Sequence, residues 1–248
     1  MWIKICGNTN LEDARLAAEG GADAAGFVFA PSKRKVTEGQ VAAITPGLPS
    51  SFKKIGVFGS HSFDEIAFTV RAAGLNGVQL HGDSDLHLVE KMRKEFGGEL
   101  FLIQTLHWSM DGDSDKAEQK FRDDLRAVIR RNCIDAVLID TLTATASGGT
   151  GTSFDWVRAR AILDDEAGSL RIIVAGGLRP ENVRDAISVL KPWGVDVVSG
   201  VEAVAGKKDP ARLLAFLRTA REAAAEKNEE TQMPWKQQAQ RKQCAEKP

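Results

Sequence analysis

Arg171-Ile172-Ile173-Val174-Ala175-Gly176-Gly177-Leu178 passes abruptly from a buried-strand pattern to bare backbone. Ile172, Ile173 and Val174 form the continuous β-branched run expected of a strand covered on both faces. Gly176-Gly177 then strips the side chains from its carboxyl end, and Pro180 is placed for the first turn of a following helix. A glycine pair between strand and helix lets peptide N–H groups reach an anion, and the positive end of the helix dipole adds to the attraction. Taken alone, the pair fits either a phosphate seat or a tight turn that binds nothing. The rest of the chain decides between them.

The same strand-then-helix unit recurs on both sides. Upstream, strands are predicted at Trp2–Cys6, Ala24–Phe29, Lys54–Phe58, Gly77–Leu80, Leu100–Gln104 and Ala136–Ile139. Helices follow at about 9–19, where Thr9 and Glu12 have capping-box spacing, and at about 37–44, 63–73, 85–96 and 155–163. After the fifth strand, Phe121, Leu125, Val128 and Ile129 share one helix face, a core-packing stripe. Downstream of Leu178, Val183, Ala186, Ile187 and Leu190 line one side of a helix, Val195–Val198 is the eighth strand, and the last helix runs from Pro210 to about Ala224. Eight such units at intervals of roughly 25 to 30 residues, mostly with strands too apolar to expose a face, predict an α/β fold: one closed (β/α)8 barrel of eight parallel strands. An open dinucleotide-binding sheet would need Gly-x-Gly-x-x-Gly after the first strand, where Cys6-Gly7-Asn8-Thr9 stands. Residues 1–224 read as the barrel domain, and 225–248, rich in Lys, Glu and Gln, as a loosely ordered polar extension.

A formal net charge of −1 over 248 residues leaves no electrostatic footprint for nucleic acid or an anionic membrane, so the expected partner is a small molecule. Cys6, Cys133 and Cys244, odd in number and widely spaced, argue against a disulfide framework and for a reducing compartment, the cytoplasm. No apolar run approaches the roughly 18 residues of a membrane span. With only His61, His81, His87 and His107, and no Cys/His pair at ligand spacing, no metal site is expected.

Active sites of such barrels gather at the carboxyl ends of the strands. The reactive groups falling there are Cys6, Arg34, His81, Gln104, Asp140 and Asp196, with Gly176-Gly177 and Ser199-Gly200 as bare exits. Lys4, two residues before Cys6, points to the same side of its strand, and a neighbouring ammonium favours thiolate. Asp140 directly follows Ala-Val-Leu-Ile; partial desolvation there raises a carboxyl pKa and makes a usable acid, although the side chain could instead cap its loop. Arg34, between Lys33 and Lys35, reads either as a solvated basic loop or as a fork for a substrate carboxylate. His81 fits a strand-end histidine or a ligand contact. Glycine exits after both strand 7 and strand 8, the recurrent phosphate-binding pair of this architecture, favour the phosphate seat. Gly148–Gly151 lacks a Walker ending and reads as a mobile loop over the site.

Lys4-Ile5-Cys6-Gly7-Asn8-Thr9, Gly26-Phe27-Val28-Phe29 with Ser32-Lys33-Arg34, Val78-Gln79-Leu80-His81-Gly82, Gly148-Gly149-Thr150-Gly151 with Phe154-Asp155-Trp156, Ala175-Gly176-Gly177-Leu178, and Val195-Asp196-Val197 with Ser199-Gly200-Val201-Glu202 together resemble the phosphoribosylanthranilate isomerases of tryptophan biosynthesis. The resemblance spans the chain from first strand to last helix. It departs at Gly77, where a larger polar residue is usual, at Val198, where a serine is common, and in the tail, which has no counterpart. It implies a cofactor-free Amadori rearrangement by a monomer or homodimer, with Cys6 as general base and Asp140 as general acid. It also implies phosphate at Gly176, Gly177, Ser199 and Gly200, the anthranilate carboxylate at Arg34, and contacts from His81 and from Asp196 to the anthranilate amine. The related histidine-pathway aminoaldose isomerases use an aspartate at the position of Cys6. Schiff-base aldolases need a lysine inside the barrel, and a non-catalytic phosphate-binding barrel would not need both Cys6 and Asp140.

Overall fold

The computed structural model describes residues 1–81, 86–109, 114–142 and 156–232. Eight parallel strands close on themselves in chain order: β1 (Trp2–Ile5), β2 (Ala24–Val28), β3 (Lys53–Phe58), β4 (Gly77–Leu80), β5 (Phe101–Ser109), β6 (Ala136–Leu142), β7 (Ile172–Ala175) and β8 (Gly194–Val197). The helices between and after them are α1 (Leu11–Glu19), α2 (Glu38–Ile44), α3 (Phe63–Ala72), α4 (Leu86–Phe96), α5 (Ser114–Arg131), α6 (Trp156–Glu166), α7 (Val183–Leu190) and α8 (Pro210–Gln232). The predicted (β/α)8 barrel is the observed fold. A short antiparallel pair, β9 (Glu202–Val204) with β10 (Lys207–Lys208), is inserted before α8. Among the described residues no helix is long and apolar enough to cross a membrane.

Alternation along the strands separates two buried compartments. Outward residues such as Ile3, Ile5, Phe27, Leu102, Val174 and Val195 form the layer between sheet and helices. Ala24, Ile55, Ile103, Leu138 and Ile173 fill the barrel itself. Inside, polarity rises along the barrel axis. The amino-terminal end is plugged by aromatic rings, with Trp2 stacked on Trp193 at 5.2 Å and 5.9 Å from Phe101. Further along β1, β4, β5 and β8 the interior turns polar, with Lys4, Gln79, Thr105 and Asp196 buried. The aromatic plug closes the amino-terminal end, and the candidate polar groups lie toward the carboxyl-terminal mouth.

Several local expectations are corrected. Asn10, not Thr9, caps α1 by accepting from Asp13 N, while the Thr9 hydroxyl donates to the Gly206 carbonyl at 2.6 Å. Pro180 sits in the turn ahead of α7 rather than in its first turn. Of the α5 stripe, Phe121, Leu125 and Val128 are buried but Ile129 is exposed, because it lies at the edge of the packed face. Helix α8 continues through Gln232, past the expected end near 224; residues 233–248, with Cys244, lie outside the described residues, as does the Gly148–Gly151 loop. Gly77 is explained by packing: a Cβ there would overlap Ile55 Cδ1.

Candidate active site

Cys6 follows β1 directly, and its thiol lies against Gly26 of β2, where any Cβ would stand only 2.5 Å from the sulfur. Glycine at position 26 therefore makes the room that Cys6 occupies. Beneath it, Lys4 is fully buried and donates to Asp196 Oδ1 at 2.9 Å and to Gln79 Oε1 at 2.8 Å; Gln79 in turn donates to Thr105 Oγ1 at 3.1 Å. Burial opposes the Lys4 ammonium most strongly, but Asp196 and Cys6 outweigh it and hold the Lys4 pKa above its ordinary value. Lys4 is thus a lysine inside the barrel, yet it is locked in the charged form that cannot act as a Schiff-base nucleophile.

Burial also dominates at Cys6 and pushes its thiol pKa up, with Lys4 acting in the opposite direction. The expected thiolate-favouring ammonium is present, but desolvation outweighs it. Asp140 belongs to β6, opposite His107 of β5, and burial likewise raises its carboxyl pKa against the pull of His81 and His107. Cys6, directly after β1, and Asp140, near the end of β6, stand at the carboxyl-terminal end of the same closed barrel.

Asp196 lies one layer below the mouth, 5% exposed, and its Oδ1 accepts from Lys4, so it anchors the ammonium. Gln104, on the outward-facing parity of β5, is buried and donates to the Thr105 carbonyl, away from the mouth. His81 stands at the mouth beside His107, their rings 4.8 Å apart edge to face. Burial and then His107 push the His81 pKa down.

Arg34 folds over Gly7, where a Cβ would meet Arg34 Cδ at 2.7 Å. Its Nε and Nη2 clasp Glu202 at 2.8 and 2.6 Å. Glu202 also accepts from Lys208 Nζ at 3.2 Å, and that fully buried ammonium donates to the Cys6 carbonyl at 2.5 Å. The β9–β10 insert thereby fixes both the guanidinium and the backbone that carries the thiol. Replacing Glu202 with Ala strands Lys208 without a carboxylate, and breaking a buried pair in this way costs about 3–5 kcal/mol. Urea unfolding of the Glu202→Ala variant should show that loss. Because the folded Glu202 pKa is depressed, with burial opposed by Arg34 and Lys208, its contribution is present above the unfolded value of about 4.3 and disappears as pH falls through the folded one.

The two glycine exits adjoin. Gly176 and Gly177 have φ of 86° and 61°, which side chains resist, and Asn182 braces the turn by accepting from Arg179 N at 2.8 Å and donating to the Gly177 carbonyl at 3.0 Å. Ser199 and Gly200 begin a 3₁₀ turn after β8, and a Cβ on Gly200 would overlap the Leu178 carbonyl oxygen. Glycine at position 200 thus lets the turn after β8 pack against the loop after β7.

The sequence pattern of the N-(5′-phosphoribosyl)anthranilate (PRA) isomerase family matches residues 3–219. The chain belongs to the PRA isomerase family. It is 39% identical to the N-(5′-phosphoribosyl)anthranilate isomerase of Pelobacter propionicus, over 90% of this chain and 97% of that one. With the Thermotoga maritima enzyme it shares 37% identity over 88% and 98%. Among solved structures, a phosphoribosyl anthranilate isomerase in complex with reduced 1-(o-carboxyphenylamino)-1-deoxyribulose 5-phosphate superposes with a TM-score of 0.72 at 33% identity, covering 90% of this chain and 99% of that one. The motifs of β1, β2, β4, β7 and β8 that carry the resemblance lie at the carboxyl ends of the barrel strands, while Gly82, Gly148–Gly151 and Phe154-Asp155 lie outside the described residues. The sequence reading missed His107, Glu202 and Lys208 as parts of the mouth. His107 left a signal in Thr105-Leu106-His107-Trp108, a strand alternation whose apolar members, Leu106 and Trp108, are buried.

Proposed function

We propose that this enzyme, a PRA isomerase of tryptophan biosynthesis, converts N-(5′-phosphoribosyl)anthranilate to 1-(2-carboxyphenylamino)-1-deoxyribulose 5-phosphate with Cys6 and Asp140 as its two proton-transfer groups. The observation that carries these assignments is that a thiol and a desolvated carboxyl, from β1 and β6, border one mouth beside two glycine-bearing exits. Asp140, whose protonated form burial favours, gives its proton to the furanose ring oxygen as the C1–O bond breaks, leaving a Schiff base between C1 and the anthranilate nitrogen. That cationic imine acidifies the C2 hydrogen. The Cys6 thiolate removes it, the electron pair moves to form the C1–C2 double bond, and the enolamine tautomerises to the 2-ketone. No electrons leave the substrate, so neither a redox cofactor nor a co-substrate enters the balance.

Positioning accounts for the remaining residues. The phosphate lies against the peptide groups of Gly176, Gly177, Ser199 and Gly200, and Arg34 takes the anthranilate carboxylate with the guanidinium N–H groups that Glu202 leaves over. His81 borders the sugar. Asp196 acts through Lys4, holding the ammonium beside the thiol so that the thiolate forms next to a fixed positive charge. Fixing both ends of a small sugar phosphate lets two groups on different strands work on adjacent carbons without searching.

The test is turnover by the purified protein, followed as loss of the substrate's fluorescence together with identification of the ketose product. Product formation without added cofactor is expected, and an enzyme that binds the substrate without consuming it would overturn the reading. Arg34→Ala should raise KM about 10- to 100-fold with little change in kcat, the size of one or two units of 1.4 kcal/mol for a charged hydrogen bond made equally in ground and transition states. An unchanged KM would remove Arg34 from the site.

A further inference from the structure

His81 follows β4, His107 lies in β5 and Asp140 in β6, so three neighbouring strands each deliver one potential metal ligand to the mouth. One ligand atom from each lies within 4.8 Å of the others, and all three residues are half-buried. The Nδ1 atoms of both histidines are buried and have no hydrogen-bond partner among the described residues. Buried ring nitrogens are normally satisfied, so two unsatisfied ones side by side need an explanation, and the isomerisation gives none: it calls for no second histidine next to its acid. Two imidazoles and one carboxylate make a donor set for borderline transition ions and a poor one for Mg²⁺ or Ca²⁺, which prefer oxygen.

We propose that His81, His107 and Asp140 form a binding site for a divalent transition ion of the Zn²⁺ class, and that the bound ion inhibits the isomerase by taking the Asp140 carboxylate out of proton transfer. The inhibitory half rests on Asp140 being the acid; the site itself does not. Bonds of about 2.0–2.1 Å in tetrahedral array require ligand atoms about 3.3 Å apart, so the widest separation must close by about 1.5 Å, within reach of side-chain rotation in half-buried residues. Three protein ligands leave the fourth position to water. The depressed His81 pKa keeps its imidazole neutral at pH 7, the form that binds metal. The nearest buried ammonium, Lys4, is already neutralised by Asp196, which limits its repulsion of the ion. No ligand spacing marks the site in the sequence because each residue comes from a different strand.

The full chain, untagged and freed of metal by chelator, would be titrated with Co²⁺, read by its visible absorption, and with Zn²⁺, read by calorimetry, with turnover measured at each step. The expected result is about one equivalent bound through nitrogen and oxygen, turnover lost in proportion and restored by chelator. His107→Asn should bind the ion at least roughly a hundredfold more weakly, since even indirect partners of metal ligands are worth 10- to 100-fold, and the metal-free turnover it retains, measured as its own baseline, should escape inhibition. No binding by the wild-type chain would overturn the site, as would thiolate-type Co²⁺ absorption or binding that His107→Asn leaves unchanged. Binding that depends on His107 but leaves turnover intact would uphold the site and overturn the role given to Asp140. If the protein consumes no substrate at all, the metal titrations still decide the site while the proposed function fails separately.

Discussion

Cys6→Ser should lower kcat by about 10²- to 10⁴-fold, the usual contribution of a positioned general base, while changing KM little. Serine keeps the shape and the buried seat against Gly26, so the fold and the phosphate loops are undisturbed. What it loses is acidity. The thiol of Cys6, although raised by burial, is stabilised as thiolate by Lys4 and Lys208; an alcohol in the same place starts far higher and gains no more from those ammoniums than the thiol does. Steady-state fluorescence with saturating substrate measures the effect, and near-normal turnover would remove Cys6 from the mechanism.

Asp140→Asn should cost a similar factor and also change the shape of the pH profile. Burial raises both groups, but Cys6 starts from an alkaline value and Asp140 from an acidic one, so the thiol keeps the higher pKa. The reactive form, thiolate with protonated carboxyl, is then a minor species. Its fraction rises with pH up to the pKa of Asp140, stays constant between the two values, and falls above that of Cys6. The wild-type kcat should therefore be flat between the two values. With asparagine there is no carboxyl to protonate, and the residual kcat should follow the thiolate alone, climbing steadily until the thiol has titrated. A flat profile in Asp140→Asn would contradict the assignment even if the loss in rate were as expected.

What could be read from the sequence, and what could not, divides along physical lines. Continuous apolar runs such as Ile172–Val174 and Val137–Ile139 exist because both faces of a barrel strand are covered, and that requirement is written locally in the residues. The outer half of β5 was missed because strands near the mouth carry polar inward residues, here Thr105 and His107, so the run looks like a loop. Cys6, Asp140 and the glycine exits are legible as candidates because their positions at or near strand ends are local facts. The clasp of Glu202 on Arg34 and Lys208 joins positions 34, 202 and 208, and no spacing rule predicts it. The same holds for the pairing of Asp196 with Lys4, 192 positions away in the chain.

The arrangement of the two proton-transfer groups around the sugar is tested most directly by a crystal structure of this chain with reduced 1-(o-carboxyphenylamino)-1-deoxyribulose 5-phosphate. The account predicts Cys6 Sγ and the Asp140 carboxyl each within about 3.5 Å of the ligand's sugar atoms, the phosphate on the peptide groups of Gly177 and Gly200, and the carboxylate on Arg34. A ligand seated with its sugar carbons out of reach of either Cys6 or Asp140 would contradict it.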